Sequence, residues 1–162
     1  MSMARHWRRD VVGLLAFVGV CVAISAIGGL ITAQSVGTWY QSLRKPSFNP
    51  PDWLFAPVWT SLYLAVAIAG WRVWRKVGLA GAPAAMASYG LQLALNLAWS
   101  FLFFGGRMIG AALADCMTLL VAIVLNAALF RPIDRLAAWL LVPYAAWVAF
   151  AAVLNFALWR AN

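Results

Sequence analysis

Five long apolar segments, separated by short polar or charged ones, set the pattern of the chain. A helix needs about 20 apolar residues to cross the hydrocarbon core of a bilayer. The segments therefore predict transmembrane helices at about residues 11–33, 53–74, 83–104, 108–130 and 136–159. Together they indicate an all-α integral membrane protein, a five-transmembrane-helix bundle in which residues 1–162 form a single domain.

The predicted connections between these helices differ in length. The segments GLAGA, GGR and RPIDR are short, which makes successive helices antiparallel. The connection between the first and second helices is long, about residues 34–52, and contains Pro46, Pro50 and Pro51. Proline fixes φ and has no N–H to donate, so this Pro-rich loop is expected to be stiff and non-helical. Asp52 then stands at the predicted N-cap of the second helix.

A cleaved signal peptide is the alternative interpretation of the first apolar segment. The basic tail RHWRRD and the small residues in AISA fit that alternative. The apolar run of about 23 residues is longer than the roughly 7–15 residues of a signal peptide's apolar region. We therefore predict that the first segment is retained as a transmembrane helix.

The composition agrees with a membrane protein and narrows the possible partners. Hydrophobic residues make up 65% of the chain and charged residues 10%, against about 25% charged in soluble domains. The net charge of +8 is concentrated between the apolar segments, which favours contact with lipid head groups over binding to nucleic acid. Cys21 and Cys116 lie within apolar segments, and His6 is the single histidine, so the sequence predicts no disulfide and no metal site.

The positions of the cations predict an orientation in the membrane. On one side lie Arg5, Arg8, Arg9, Arg72, Arg75, Lys76, Arg131 and Arg135. On the other side lie Arg44, Lys45, Arg107 and Arg160. Because cytoplasmic loops carry the excess of Lys and Arg, the N-terminus is expected in the cytoplasm, by default at a bacterial inner membrane.

The third predicted helix carries two opposed stripes. Gly90, Ala94 and Ala98 recur every four residues, a spacing that lets a second helix approach closely and predicts a homodimer interface. Gln92 and Asn96, followed by Trp99, lie on nearly the opposite side. Amide side chains rarely face lipid, so Gln92 and Asn96 are expected to point into the bundle, either as an interhelical hydrogen bond or as ligand contacts.

Aromatic and polar residues also share faces on the second and fifth predicted helices. The second helix offers Trp59 and Tyr63, and the fifth offers Tyr144, Trp147, Ala151 and Asn155. Plain packing explains any single pair. Three such faces pointing to one interior favour a pocket for a large, flat, mostly apolar molecule with a few polar edges.

Asp115 lies within the fourth predicted helix, one or two turns from its start. An intramembrane carboxylate faces the bundle interior or water, and is a functional candidate for that reason. The alternative is a structural partner for an Arg or Tyr side chain near the interface. The sequence leaves both interpretations open.

Four segments of the chain carry a resemblance to a known family. They are WYQSLRKPSFNPPDW at 39–53, PVWTSLY at 57–63, QLALNLAWSFLFFGGR at 92–107 and VPYAAWVAFAAVLNFALWRAN at 142–162. The chain resembles the TspO/MBR family, which comprises the tryptophan-rich sensory proteins of bacteria and the mitochondrial translocator protein, also called the peripheral-type benzodiazepine receptor.

The resemblance implies a five-helix bundle, often dimeric, with a pocket beneath the first loop. Its members bind tetrapyrroles such as protoporphyrin IX, isoquinoline and benzodiazepine drugs, and in mitochondria cholesterol. No resident cofactor is required, and protoporphyrin IX or haem would be a ligand. The helix faces and the resemblance together predict these ligand-binding residues: Tyr40, Pro46, Trp59, Tyr63, Gln92, Asn96, Trp99, Asp115, Tyr144, Trp147 and Ala151. Arg44 and Lys45 are expected at a charged rim, where they would meet ligand carboxylates.

The sequence is compatible with three functions. The first is binding, transport or sensing of tetrapyrroles, and the second is light-dependent degradation of porphyrin by an enzyme. The third is sterol or lipid binding, or an assembly role. The sequence offers no nucleophile–base pair and no nucleotide loop, so it favours binding over catalysis and predicts no catalytic residue. Phe156 replaces the tyrosine of the proposed cholesterol motif, which argues against strong sterol binding.

Overall fold

The computed structural model describes the backbone of residues 3–162 and the side chains of residues 7–162. The side chains of Arg5 and His6, and so their predicted roles, lie outside this described part. The described residues form seven α-helices, α1 (Met3–Val36), α2 (Trp39–Ser42), α3 (Asp52–Val77), α4 (Pro83–Ser100), α5 (Ile109–Phe130), α6 (Arg135–Leu140) and α7 (Val142–Ala161). A π-helical turn, Phe101–Gly105, continues α4.

The prediction of five transmembrane helices is confirmed. Segments long and apolar enough to cross a membrane are Trp7–Val36, Asp52–Val77, Pro83–Gly105, Ile109–Phe130 and Arg135–Ala161. The details differ from the sequence pattern in three places. Helix α1 extends back through the basic tail to Met3, the long loop contains the short helix α2, and the fifth span consists of α6 and α7.

The fifth span is divided at Leu141, between α6 and α7. Pro143 stands in the first turn of α7, where its missing N–H needs no intrahelical partner. Asp134 caps the other end of α6, where its carboxylate accepts a hydrogen bond of 2.9 Å from the backbone N–H of Ala137. The short helix α6 and the long helix α7 therefore begin at residues that suit a helix N-terminus, and together they form the fifth span.

The half of the bundle that holds the α3–α4 and α5–α6 connections is tightly packed. A Cβ on Gly70 would stand 2.6 Å from the ring of Tyr89 and 2.8 Å from the ring of Phe17, so only glycine fits here. The Tyr89 hydroxyl donates to the carbonyl of Val66 at 3.2 Å. Because α1, α3 and α4 meet so closely at this end, the space between them lies in the opposite half, under the 34–52 loop.

The two stripes of the third span lie as the sequence pattern indicates. Gln92 and Asn96 are buried inside the bundle, whereas Gly90 and Ala94 are exposed on its outer face. No described atom lies within 4 Å of the position that a Cβ on Gly90 would take. The small stripe is therefore free to meet lipid or another helix.

Candidate ligand-binding site

A cavity of about 540 Å³ lies in the loosely packed half of the bundle, beneath the 34–52 loop. Small-molecule sites in proteins usually have volumes of about 300–1,000 Å³ and mostly apolar walls. Residues from α1, α2, α3, α4, the π-helical turn, α5 and α7 line this one, and most of their side chains are apolar. Every transmembrane span therefore contributes to one interior space of ligand size.

Aromatic rings form three walls of the cavity. On α3, Trp59 and Tyr63 pack with ring centroids 5.6 Å apart. On the third span, Trp99 stacks on Phe103 at 4.9 Å with an angle of 14° between the rings. On α7, Trp147 meets the ring of Phe55 edge-on at 6.0 Å. These rings have defined positions before any ligand binds, which favours a flat apolar molecule.

Asn96 supplies a polar group at the inner end of the cavity. Its Oδ1 accepts a hydrogen bond from the hydroxyl of Tyr63. Its Nδ2 donates to the hydroxyl oxygen of Tyr144 at 2.9 Å, and Tyr144 is fully buried behind the cavity wall. Because partners on α3 and α7 hold both ends of the amide, Asn96 presents a fixed orientation to the cavity.

Asn155 provides a second polar group in the cavity lining. Its Oδ1 accepts a hydrogen bond of 3.1 Å from the indole Nε1 of Trp99, and its Nδ2 donates to the carbonyl of Ile109 at 2.9 Å. Sequence reasoning placed Asn155 on an aromatic face of the fifth span but left it out of the expected site. Its position four residues after Ala151 was the signal that could have included it.

The 34–52 loop closes the cavity from above and is held by side-chain hydrogen bonds. The Tyr40 hydroxyl, buried beside the cavity, donates to Oδ1 of Asn49 at 2.8 Å. Burial, and then the nearby Asp52 carboxylate, raise the pKa of Tyr40, so its hydroxyl keeps the proton that it donates. At the cavity mouth, Nε2 of Gln41 donates to Oδ2 of Asp52 at 2.7 Å.

The loop is also joined to the C-terminal end of the chain. The backbone N–H of Arg44 donates to Oδ1 of Asn162 at 2.9 Å, and Nδ2 of Asn162 donates back to the Arg44 carbonyl at 3.2 Å. The ring of Phe48 packs edge-on against Phe150 of α7 at 6.5 Å. The loop is thus attached to both α3 and α7 and forms a lid with a defined position.

The structure brings most of the predicted site residues together. Seven of them line the cavity: Tyr40, Trp59, Tyr63, Asn96, Trp99, Trp147 and Ala151. Further lining residues that the sequence did not single out are Phe55, Phe103 and Leu154, with the small residues Gly28, Gly29 and Ala33 of α1. Ser25 and Thr32 of α1 also line the cavity, and their seven-residue spacing on one helix face was the signal that could have pointed to it.

The predicted rim differs from the observed one. Arg44 and Lys45 are not among the lining residues, because Arg44 is exposed and Lys45 lies with Nζ 4.4 Å from the ring centre of Tyr40, donating to Oε1 of Gln41. Pro46 lies in the lid above. Gln41 and Asp52 line the mouth instead. Asp52 is also the first residue of α3 rather than its N-cap, which is Pro51.

Gln92, Asp115 and Tyr144 also lie outside the lining. Gln92 is one helical turn below Asn96, and neither of its amide atoms has a hydrogen-bond partner among the described residues. Asp115 precedes the lining residue Cys116, and successive helical side chains point about 100° apart. The Asp115 Oδ2 is buried without a partner in the described part of the chain, so the Arg or Tyr contact that the sequence left open as one alternative is not found there.

The cavity opens sideways between the outer halves of α1 and α3. Gly29 and Ala33 on α1, and Ala56 and Thr60 on α3, line the cavity and are at the same time exposed. These four side chains are small. The opening therefore lies between two transmembrane spans.

Comparison with known proteins places these features in a family. A sequence model of the TspO/MBR family matches residues 17–160. The translocator protein of Homo sapiens is 41% identical over 126 residues, which cover 76% of this chain and 75% of the relative. The tryptophan-rich protein TspO of Archaeoglobus fulgidus is 39% identical over 153 residues, covering 94% of this chain and 99% of the relative. The tryptophan-rich sensory protein of Cereibacter sphaeroides is 37% identical over 148 residues, covering 91% and 90%. With its five membrane-spanning helices, the chain belongs to the TspO/MBR family of multi-pass membrane proteins.

Proposed function

We propose that the protein binds tetrapyrroles such as protoporphyrin IX or haem, and other flat apolar ligands, in the cavity beneath the lid. The observation that carries the proposal is the set of three tryptophans, Trp59, Trp99 and Trp147, around one space of about 540 Å³. Indole rings on three sides can pack on both faces of a macrocycle. Asn96 and Asn155 offer polar contacts to its edge.

Near the mouth, Lys45 is the cation that could meet a carboxylate at the outer edge of a ligand, and it would have to outweigh repulsion from the Asp52 carboxylate. Asp52 lines the mouth, and its carboxylate accepts a hydrogen bond from Gln41. Lys45 donates to the same Gln41 from outside the lining. A propionate that replaced the Gln41 amide oxygen as the acceptor of Lys45 would gain a charge-assisted hydrogen bond. The apolar part of the ligand would then lie deeper, among the tryptophans.

A fluorescence titration tests this assignment. Purified protein is titrated with protoporphyrin IX, and tryptophan quenching and the porphyrin absorbance are followed together, with a sterol in parallel. We expect Trp59→Phe and Trp147→Phe each to weaken porphyrin binding about 2- to 10-fold, since a specific aromatic contact is worth about 0.5–1.5 kcal/mol. Trp139→Phe is the matched control, because Trp139 is 68% exposed on α6, outside the cavity. Equal affinities for all three variants and the wild type would refute the pocket.

The lateral opening supports exchange of ligand with the bilayer, either for transport or for sensing. A larger side chain at the opening should slow the exchange of ligand with the bilayer without removing contacts inside the cavity. Ala33→Trp is therefore expected to lower the porphyrin association and dissociation rates together, leaving the dissociation constant within about twofold. Unchanged rates would show that the ligand enters by another path.

The proposed orientation has the N-terminus in the cytoplasm and the lid outside, at a bacterial inner membrane. The excess of cations at the tightly packed end supports it. Single cysteines at Ser47 in the lid and Ala80 in the α3–α4 connection, in a cysteine-free background, test it with a membrane-impermeant maleimide. In intact spheroplasts we expect labelling at position 47 and protection at position 80. Protection at position 47 and labelling at position 80 would show that the protein has the opposite orientation.

We also propose that the protein forms a homodimer through Gly90, Ala94 and Ala98. The supporting observation is that Gly90 and Ala94 are exposed on the outer face of α4. Ala94→Leu should reduce cross-linking between copies in lipid, because the larger side chain separates the helices. Ala114→Leu, the same change at an exposed position of α5, serves as the control. Equal cross-linking of the two variants would exclude this interface.

A further inference from the structure

A basic groove lies at the end of the bundle opposite the lid. It is formed where α3 ends, α5 ends and α6 begins, and has a volume of about 690 Å³. Four cationic side chains and one acidic side chain line it, together with four others: Arg72, Lys76, Arg131, Arg135 and Asp134, with Ala128, Pro132, Ile133 and Leu136. Because these helices are transmembrane spans, their ends place the groove at the level of the lipid head groups.

Two of the four cations form salt bridges with Asp134, the acidic residue of the groove. Asp134 Oδ2 lies 2.9 Å from Arg72 Nη2 and 3.0 Å from Lys76 Nζ. Its Oδ1 accepts the N–H of Ala137. Burial alone would raise the pKa of Asp134, but these hydrogen bonds outweigh it and hold the pKa below its usual value. The carboxylate is therefore ionised and both of its oxygens are used.

The other two cations have no such partner. Arg131 and Arg135 are exposed, and neither is within salt-bridge distance of a carboxylate in the described part of the chain. Four positive side chains and one negative one leave the groove with a net charge of +3. The groove is thus suited to a ligand with negatively charged oxygens.

An apolar stripe leads from the membrane to this groove. On α5, Val121, Val124 and Leu125 are exposed, and Ala128 lies in the groove wall. Their spacing puts these four on one helix face, and Arg131 follows Ala128 by three residues on the same side. A free ion does not bind to an apolar surface, whereas the acyl chain of a lipid can cover it. The combination of cations and stripe therefore fits a lipid better than a soluble anion.

We propose that the groove binds the head group of an anionic phospholipid. The guanidinium groups of Arg131 and Arg135 contact the phosphate oxygens, as planar donors suited to that geometry. Arg72 and Lys76, which form salt bridges with Asp134, add to the positive potential of the groove. One acyl chain lies along the α5 stripe. This site is separate from the cavity and does not depend on the ligand bound there.

Lipid competition in nanodiscs tests the proposal. Native mass spectrometry measures how strongly the protein retains phosphatidylglycerol relative to phosphatidylcholine, and thermal unfolding measures the stabilisation that phosphatidylglycerol gives. We expect Arg131→Gln/Arg135→Gln to reduce the relative affinity for phosphatidylglycerol about 30-fold, since each cation near a membrane surface contributes about 1 kcal/mol. The control Arg107→Gln/Arg160→Gln removes the same charge at the other end and should keep the preference.

The outcomes separate the proposal from its alternatives. Equal losses in the two double variants would show a general charge effect and overturn the site, as would full retention in Arg131→Gln/Arg135→Gln. Inorganic phosphate that reproduced the whole stabilisation in phosphatidylcholine nanodiscs would overturn the lipid assignment in favour of a soluble anion. Arg131→Lys/Arg135→Lys keeps the charge but loses the planar donors, so it is expected to lose less of the preference than Arg131→Gln/Arg135→Gln. Equal losses in these two variants, with unchanged folding, would overturn the role of the charge.

Discussion

The indole N–H of Trp99 donates a hydrogen bond of 3.1 Å to Oδ1 of Asn155 and so joins α4 to α7 across one wall of the cavity. Asn155 is almost fully buried, and its amide nitrogen donates onward to the carbonyl of Ile109 on α5. One side chain thus bonds polar groups on two other helices, one of them the Trp99 N–H in the apolar cavity wall. In an apolar interior such groups cost free energy when they lose their partners.

Loss of Asn155 should therefore weaken both the fold and the cavity. Asn155→Leu leaves the Trp99 N–H without its acceptor and removes one donor to the Ile109 carbonyl, which we expect to cost about 1–3 kcal/mol in the free energy of unfolding. The Trp99 ring should also lose its fixed position, and porphyrin affinity should fall. Denaturant titration in detergent and the porphyrin titration measure the two effects.

A double-mutant cycle isolates the hydrogen bond itself. Trp99→Phe keeps an aromatic ring beside Phe103 and removes the indole N–H. If the bond exists, Trp99→Phe and Asn155→Leu are non-additive, with a coupling energy of about 0.5–1.5 kcal/mol. Additive effects within about 0.5 kcal/mol would show that the two side chains act independently.

Gln92 should be replaceable with a gain in stability. Its amide is fully buried, and neither of its polar atoms has a partner among the described residues. Gln92→Met keeps the length of the side chain and removes the unpaired amide, so we expect the free energy of unfolding to rise by about 1–3 kcal/mol. Porphyrin affinity should stay the same, because Gln92 is not in the cavity lining.

Asn126 provides the comparison for this change. Its Nδ2 donates to the carbonyl of Ala85 at 3.1 Å, so Asn126→Leu breaks a bond and should give no gain. A loss of porphyrin affinity in Gln92→Met as large as that in Asn96→Leu would contradict the observed lining. It would support the expectation from the sequence that Gln92 contacts ligand.

The hydrophobic pattern was sufficient to predict the five transmembrane spans and the buried and exposed faces of the third span. Burial of Gln92 and Asn96 opposite the exposed Gly90 follows from helical spacing and from the cost of exposing an amide to lipid. The π-helical turn after Ser100 was not predictable in the same way, because its sequence is apolar like that of α4. The break at Leu141 did have a signal, since Pro143 lies within the predicted helix and a proline ends or kinks a helix just before it.

The rim could not be predicted from sequence because its cations act through contacts with distant residues. Arg44 meets Asn162 at the far end of the chain, and Lys45 lies on the ring of Tyr40. Which loop side chain faces the cavity depends on these contacts and not on spacing. In the same way, α1 contributes to the cavity through its small residues, and the space they leave is visible only once α3 is in place.

Stability should depend on pH through Asp134. The pKa of its carboxyl is lowered in the folded protein, so its contribution is complete above the ordinary value of 3.8 and is lost as the pH falls below it. The thermal midpoint of the wild type should therefore fall between about pH 4 and the lower pH limit of folding. Asp134→Asn should be less stable at pH 7, because Arg72 and Lys76 lose their anionic partner, and its midpoint should change less in acid.

Asp10 serves as the control for this dependence. Its carboxylate is 3.9 Å from Arg75, and both side chains are about one-third exposed. Such exposed pairs contribute about 0–1 kcal/mol, so Asp10→Asn should shift the midpoint little at pH 7 and keep the wild-type decline in acid. An acid decline of the same size in Asp134→Asn would assign the dependence to another group.

Stiffness of the lid should control how long a ligand stays bound. The carbonyl of Pro46 accepts the N–H of Asn49 at 3.0 Å, and Asn49 in turn accepts the Tyr40 hydroxyl beside the cavity. Pro46→Gly keeps that carbonyl but frees φ at this turn, so the lid samples more conformations. We expect the porphyrin dissociation rate, measured by stopped-flow displacement, to rise several-fold, while the folded yield changes little. Pro132→Gly in the α5–α6 connection makes the same change far from the lid and should leave the rate unchanged. A rate equal to that of the wild type in Pro46→Gly would mean that the lid does not limit release, and that the lateral opening between α1 and α3 does.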